Sequence, residues 1–496
     1  MFCCRENTTD IQREDHEDDI ISMVRVSLVD DEANVRSAAA RAFDALQEHM
    51  GGKAIDQTIP TLLEALRQPG QSSGTALQAL KEVMAVSVYQ ISRVMLFDPF
   101  VKVRASTVFP VLIPTLISTP MTVFNARALA ALVTVADSAL SKRLTAILTA
   151  LVKVVEDEND EELLSAVDEA LRALFESIND VEGLNTIMLL LLGWYVSSCL
   201  FVVHANIDRV HRAKHDSPKR RVSACNFFAS FCEESELDSS LYRVDWIRQL
   251  VSALDDSQVL VHTAAWHALD KFVKSIPKDE LEALVVPLRR TIEGTGSPGH
   301  YVPGFSLPKG VSPTVPIIIA GLTTGNNEQR EQAAYAIGDL VERTEETAIK
   351  PFVVTFTGPL IRVATQATTY PPAVKTAILS ALMSMLERIP TFVKPFFPQL
   401  QRTFVKSASD PASVVVRTKA AQALGVLMRN QPRVDPVITE LITGSRNSDD
   451  TIAGTLLLAL ANVVRSAGPN VGEKAREACV QLVSDAFKDD HDGERV

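Results

Sequence analysis

A basic residue recurs along this chain with alanine three positions after it: Arg36 with Ala39, Arg127 with Ala130, Arg221 with Ala224, His262 with Ala265, Arg330 with Ala333 and Arg417 with Ala420. At plus four the residue is again small in five copies (Ala40, Ala131, Cys225, Ala334 and Ala421), Trp266 being the exception. At plus seven a large apolar side chain returns as Phe43, Phe228, Leu269, Ile337 and Leu424. Offsets of three, four and seven lie on one face of an α-helix. Small residues on that face let a neighbouring helix approach closely, and the large one fills the seam, so each such helix requires another beside it.

Acidic turns stand upstream of several copies, in "VDDEANVR", "LDDSQVLVH" and "ASDPASVVVR", and before each turn runs another amphipathic stretch, such as "FFPQLQRTFVKSA" or "WIRQLVSALD". The unit is helix, short acidic turn, helix. Successive markers lie 91, 94, 41, 68 and 87 positions apart, about one or two units of the 40–47 residues that HEAT and armadillo repeats occupy. One helix pair cannot bury its apolar stripes alone; stacked neighbours bury them for each other. The expected fold is therefore all-α, a HEAT/ARM-type α-solenoid: a right-handed superhelix of about ten to twelve stacked helix pairs. At 496 residues the chain also exceeds a single core, which stops growing near about 250–300 residues.

Pairs are expected at 18–50, 55–86, 103–137, 141–178, 181–234, 242–276, 279–344 (enlarged), 348–389, 391–430 and 433–467, with a last helix at 473–487. Pro110, Pro114, Pro287, Pro351, Pro395, Pro398 and Pro436 fall near the starts of first helices or kink them. The basic residue near the start of each second helix is placed to pair with the Asp of the preceding turn, for example Asp31 or Asp410. Arg36, Arg221, His262, Arg330 and Arg417 would then form a ladder that registers one repeat on the next. Simple solvation of a surface is the alternative.

Some stretches break the rhythm. Residues 293–313, "EGTGSPGHYVPGFSLPKGVSP", are rich in glycine and proline and read as a loop or joint between two stacks. The G-x-G-x-x-G formed by Gly294, Gly296 and Gly299 has no strand before it and Pro298 inside it, which excludes a dinucleotide site. Residues 187–203, "IMLLLLGWYVSSCLFVV", carry no charge and reach the low edge of a membrane span. Gly193, Ser197 and Ser198 dilute the run, so a buried first helix ending near Trp194 is the preferred reading. The basic run Lys214, His215, Lys219, Arg220 and Arg221 opens a helix, as a solvated face or as a contact for phosphate or an acidic partner. The domain plan is an acidic disordered tail at 1–16, a first stack at 17–292 with insertions at 85–102 and 195–213, the loop at 293–313, a second stack at 314–488 and a tail at 489–496.

Chemistry is sparse. There is no Walker loop, G-x-S-x-G, H-E-x-x-H or kinase-type catalytic loop. His211 and His215 share a helix face but lack further ligands at metal spacing. The carboxylates of Glu156, Asp157, Glu158, Asp160, Glu161 and Glu162 fall on a turn between helices. A net charge of −12 opposes a general grip on nucleic acid, and six scattered cysteines without C-x-x-C suit reduced thiols. The polar, acidic start is neither a signal nor a transit peptide. The reading is a cytoplasmic protein-binding scaffold with no catalytic, cofactor or metal site.

Longer stretches are more specific: "SSGTALQALKEVM", "VRASTVFPVLIPTLISTPMTVFNARALAALVTVA", "VEGLNTIMLLLLGW", "KHDSPKRRVSAC", "FCEESELDSSLYRVDWIRQLV", "GNNEQREQAAYAIGDLVERT" and "RVDPVITELITGS". Together they resemble the C-terminal part of the general control non-derepressible translational activator family. The likeness covers nearly the whole chain. It implies a HEAT-repeat activator of the kinase that phosphorylates the alpha subunit of translation initiation factor 2 in amino-acid starvation. It also implies binding to that kinase's N-terminal RWD domain and a place on ribosomes and polysomes, through parts of the family that this chain lacks. No small-molecule substrate, cofactor or membrane partner is implied. Residues 85–102 and 195–213 depart from the family pattern and read as insertions or as intron sequence translated in error. Exposed basic residues are the expected kinase contacts: Arg104, Arg127, Lys142 and Arg143, with Lys219 and Arg220 in the second basic run. A transport receptor, a phosphatase scaffold and a membrane-anchored helical protein remain the alternatives.

Overall fold

The computed structural model describes residues 16–50, 58, 113–136, 143–195 and 217–493, apart from 115, 179, 236, 297, 298 and 367–369. The described residues are helices and connecting turns with no strand among them. The fold is an all-α, HEAT/ARM-type stack of helix pairs, dividing into two compact units, Met1–Ser239 and Ser240–Val496.

The first unit begins with α1 (Glu17–Leu28), whose first turn carries Glu17, Asp18 and Asp19 at the positive end of the helix dipole. It packs on α2 (Ala33–Met50), burying Ile21, Val24 and Leu28 against a face that holds Ala39, Ala40 and Phe43. Then come α3 (Val123–Ala136), α4 (Leu144–Asp157), α5 (Glu161–Ser177), α6 (Val181–Tyr195) and α7 (Pro218–Glu234). The second helices α3, α5 and α7 follow one another as layers. Ala126, Ala128 and Ala130 of α3 are buried, as are Ala166 and Ala170 of α5, so small side chains permit the close approach of these two helices. Phe175 of α5 meets Phe231 of α7 edge to face, centroids 5.9 Å apart. Helix α6 buries Leu184, Ile187, Met188 and Leu191 and packs on α4 and α7. The apolar run from 187 is thus a first helix as far as Tyr195; its remainder, like 85–102 and 196–213, lies outside the described residues.

The second unit contains α8 (Arg243–Ala253), α9 (Val259–Ser275), α10 (Val285–Gly294), α11 (Val315–Thr323), α12 (Asn327–Arg343), α13 (Val353–Thr365), α14 (Pro372–Arg388), α15 (Phe397–Ala408), α16 (Val414–Arg429), α17 (Asp435–Arg446), α18 (Asp450–Ala467) and α19 (Glu473–Gly493). The second helices α12, α14, α16 and α18 form successive layers, with the first helices α13, α15 and α17 outside them. Caps set the starts. Asn326 and Gln329 exchange side-chain and backbone hydrogen bonds in a capping box on α12, and Ser413 and Asp449 each accept a backbone N–H as N-caps of α16 and α18. Helix α18, with the turn after it (Asp450–Asn470), is long and apolar enough to cross a membrane; it buries Leu456, Ala459 and Val463 in the stack.

Two first helices share one device. Lys350-Pro351-Phe352 and Lys394-Pro395-Phe396 each form a 3₁₀ turn between a single α-turn and the main helix, α13 or α15. Proline is tolerated there because the first turn of a helix leaves its N–H groups unbonded. The Lys350 ammonium lies 5.2 Å from the centroid of the Phe392 ring in the next repeat.

The glycine- and proline-rich stretch is the main departure from expectation. It lies inside the second unit and is packed there: Val302, Phe305 and Val311 are fully buried. The Val302 N–H donates to Arg343 O at 2.8 Å, the Gly304 N–H donates to Leu254 O at 2.8 Å, and the Trp266 indole N–H donates to Lys309 O at 3.3 Å. Arg343 answers from α12, donating to Thr295 O at 3.2 Å and Glu293 O at 3.1 Å. The segment is a strap stitched to helices on both sides. Its three apolar side chains gain more by burial than a free linker would.

Candidate protein-interaction surface

The marker residues come first, because they fix what remains available for a partner. Arg36, Arg221, His262, Arg330 and Arg417 are each the fourth residue of their helix. From there the side chains of Arg36, His262, Arg330 and Arg417 fold back toward the preceding turn. Arg36 Nη1 donates to Asp30 O at 2.8 Å and Asp31 O at 2.9 Å; His262 Nδ1 lies 3.0 Å from Asp256 O. Arg330 Nη2 donates to Thr323 O at 3.0 Å, and Arg417 Nη1 to Asp410 O at 2.9 Å. In each case the acceptor is a main-chain carbonyl of the turn. The carbonyls at the end of the first helix need donors, and a basic side chain one turn into the second helix supplies one. Arg221 is buried on α7.

Asp410 joins three layers. Its carboxylate accepts from Lys375 Nζ of α14 at 2.7 Å and from the N–H groups of Ala412 and Ser413, while its carbonyl takes Arg417. Arg417 Nε in turn reaches Thr455 Oγ1 of α18 at 3.3 Å. Burial pushes the Asp410 carboxyl up, but the Lys375 hydrogen bond, the two N–H groups and the Lys375 charge outweigh it and hold the group below the usual carboxylate range. Two residues of this kind escaped the sequence pattern. Lys375 is followed at plus three by Ile378 instead of alanine, and Arg476, which donates to Pro469 O at 3.3 Å, is followed by Cys479. A basic residue four into a helix after a turn was the more general signal.

Asp339 lies between Arg289 at 3.3 Å and Arg343 at 3.5 Å. Burial raises its pKa in spite of both guanidiniums. Arg289 also lies 5.4 Å from the centroid of the Tyr335 ring. These groups tie α10 to α12 and belong to the packing.

The basic candidates among the described residues, exposed except for the half-buried Arg220, divide between two edges of the first unit. Arg127 on α3 pairs with Glu162 at the start of α5, 3.2 Å away and with both side chains more than half exposed. Lys219 on α7 donates to Glu156 O at 2.9 Å and lies 3.5 Å from Asn159 Oδ1. The structure thus brings Arg127 and Lys219 to the same acidic turn, 156–162. Arg220 stands beside Lys219 in the first turn of α7, where Ser217 caps its N–H at 3.4 Å. Arg143 precedes α4, which runs back to that turn, so it sits at the opposite end of the layer, about 20 Å away along a helix of that length. Arg143 is exposed and has no partner among the described residues. Arg104 and Lys142, like His211 and His215, lie outside the described residues.

Among the described residues no three His, Cys, Asp or Glu side chains group as metal ligands. Among the described residues Cys225, Cys232 and Cys479 form no disulfide. Gly294 ends α10, and Gly296 and Gly299 have positive φ in the strap, so the G-x-G-x-x-G follows a helix instead of opening one.

Residues 108–309 match the family model described as stalled ribosome sensor GCN1-like, HEAT repeats. The yeast Saccharomyces cerevisiae eIF-2-alpha kinase activator GCN1 is 36% identical over 475 residues, 95% of this chain and 16% of its own length. The human stalled ribosome sensor GCN1 is 32% identical over 486 residues, 96% of this chain and 16% of its own. The Arabidopsis thaliana protein ILITYHIA is 33% identical over 434 residues, 86% and 15% respectively. A solved yeast importin-beta covers 96% of this chain and 66% of its own at 15% identity and a TM-score of 0.35, too low to bear on function. The chain spans about a sixth of the length of the curated relatives it matches, and within that span it belongs to the GCN1-like HEAT-repeat family.

Proposed function

We propose that this chain is a non-catalytic protein-interaction scaffold in translational control, whose first unit binds the N-terminal RWD domain of the kinase for the alpha subunit of initiation factor 2. It acts in the cytoplasm, in association with ribosomes. The observation that carries the reading is identity of 36% over 475 residues with a protein named as an activator of that kinase. Its physical support is the character of the surface: basic side chains are held by regular helices at exposed edges of the layers, as a docking platform requires.

Arg143 and Arg127 test where the domain docks. Immobilised RWD domain should retain the 496-residue chain, and the double variant Arg127→Glu/Arg143→Glu should abolish that retention while leaving the helical circular-dichroism spectrum intact. The single variants separate the roles. Arg143→Glu should weaken retention at unchanged melting temperature, whereas Arg127→Glu places an acid beside Glu162 and should lower the melting temperature slightly. Undiminished retention of the double variant removes this site from consideration.

A further inference from the structure

Three consecutive second helices of the second unit, α14, α16 and α18, carry an arginine in the last turn: Arg388, Arg429 and Arg465. The helix dipole accounts for these, since cations are favoured at C-termini. It does not account for three more. Lys394 opens the 3₁₀ turn before α15, Arg433 stands one residue before the N-cap Val434 of α17, and Lys474 is in the first turn of α19. Each stands at a helix start, where the dipole opposes a cation, only four to nine residues after its arginine in the chain. Turns this short place all six on the edge where the second helices end. All six are exposed, and none of their side chains has a hydrogen bond or ion pair among the described residues. Arg36, His262, Arg330 and Arg417 of the ladder, by contrast, are engaged with turn carbonyls.

We propose that this edge is a docking site for an acidic protein segment, distinct from the kinase contact placed on the first unit. Layers of packed helices repeat at about 8–10 Å, so the edge offers a basic pair at that interval three times. An acidic helix with carboxylates seven residues apart, about 10.5 Å along its axis, meets one pair per layer. Charge complementarity selects protein over nucleic acid: the exposed carboxylates Glu387, Glu473 and Glu477 lie on the same edge and would repel a continuous phosphate backbone. They leave room for the mixed charge of a protein surface.

The test uses the full 496-residue chain and a fluorescein-labelled helical peptide bearing Glu at every seventh position and its i+3 neighbour. Fluorescence anisotropy at about 50 mM salt should show binding that weakens steeply by about 200 mM. Lys394→Glu/Arg433→Glu/Lys474→Glu should reduce affinity at least tenfold. The same variant should not lower the melting temperature, because each substitution puts an acid at a helix start. Lys394→Arg/Arg433→Lys/Lys474→Arg should bind as the parent does. Equal affinity of the reversed variant and the parent would overturn the proposal. So would tighter binding of a 20-nucleotide single-stranded RNA or of phosphatidylserine vesicles than of the peptide. RWD retention is measured alongside: its survival in the reversed variant keeps this outcome independent of the first.

Discussion

Asp410 holds adjacent repeats in register, and its chemistry makes a pH prediction. Its folded-state pKa lies below the value of about 3.9 expected of an unfolded chain. The pair with Lys375 therefore stabilises fully above that value and is lost as pH falls through the lower folded-state value. Both side chains are close to nine-tenths buried, so the interaction is little screened. Asp410→Asn should cost about 1–3 kcal/mol at neutral pH. Urea titrations should show the gap between variant and parent closing as pH drops below the ordinary carboxylate range; a constant gap would assign the cost to packing. Arg417→Met should cost a similar amount, because it leaves Asp410 O and Thr455 Oγ1 each without a donor. The basic residues were visible in the sequence as a recurring type at a recurring offset. Their acceptor was not: whether a guanidinium meets a carboxylate or the carbonyl beside it depends on turn geometry over two or three ångströms, and spacing does not encode that.

At the scale of the element, the strap shows how composition misleads. Glycine and proline over 293–313 predict irregular backbone, which the structure has, and suggest a joint, which it lacks. Burial of Val302, Phe305 and Val311 makes the segment part of the core. Gly304 is the test. A Cβ built there lies 2.7 Å from Leu254 Cβ and 2.9 Å from its Cα, too close without a backbone shift. Gly304→Ala should therefore destabilise by about 1–3 kcal/mol. Trp266 fluorescence should change with it, since the indole N–H is bonded to Lys309 O in the same strap. A variant with unchanged Tm and unchanged emission would show the strap to be loosely held. The short first helices were legible through their prolines: Pro351 and Pro395 mark two copies of one Lys-Pro-Phe turn. Helix α6 was legible as well, because an uncharged run flanked by amphipathic helices has more to gain in a stack than in lipid.

For the whole molecule, stability follows from neighbours. Each layer buries its apolar face on the next, so a stack should tolerate division between compact units better than within one. Residues 240–493 expressed alone should keep a helical circular-dichroism spectrum and a cooperative urea transition. A cut inside that unit, between Arg388 and Pro390, separates α14 from α16 and should leave its C-terminal fragment poorly structured. A non-cooperative transition for 240–493 would show that its layers need more than one another.

The sequence alone settled the period, the helix faces, the fold class and the family resemblance, because all of these are one-dimensional: they are offsets along a chain, and the α-helix turns offsets into faces. Tertiary structure decided which charges are spent and which remain free. Arg127 and Lys219, 92 positions apart in the chain, meet at one acidic turn, while Arg143, close to Arg127 in sequence, lies at the opposite end of the layer. The reason is reversal of direction: each helix pair folds the chain back on itself, so proximity across the stack follows layer order and helix polarity, and distance along the sequence carries neither.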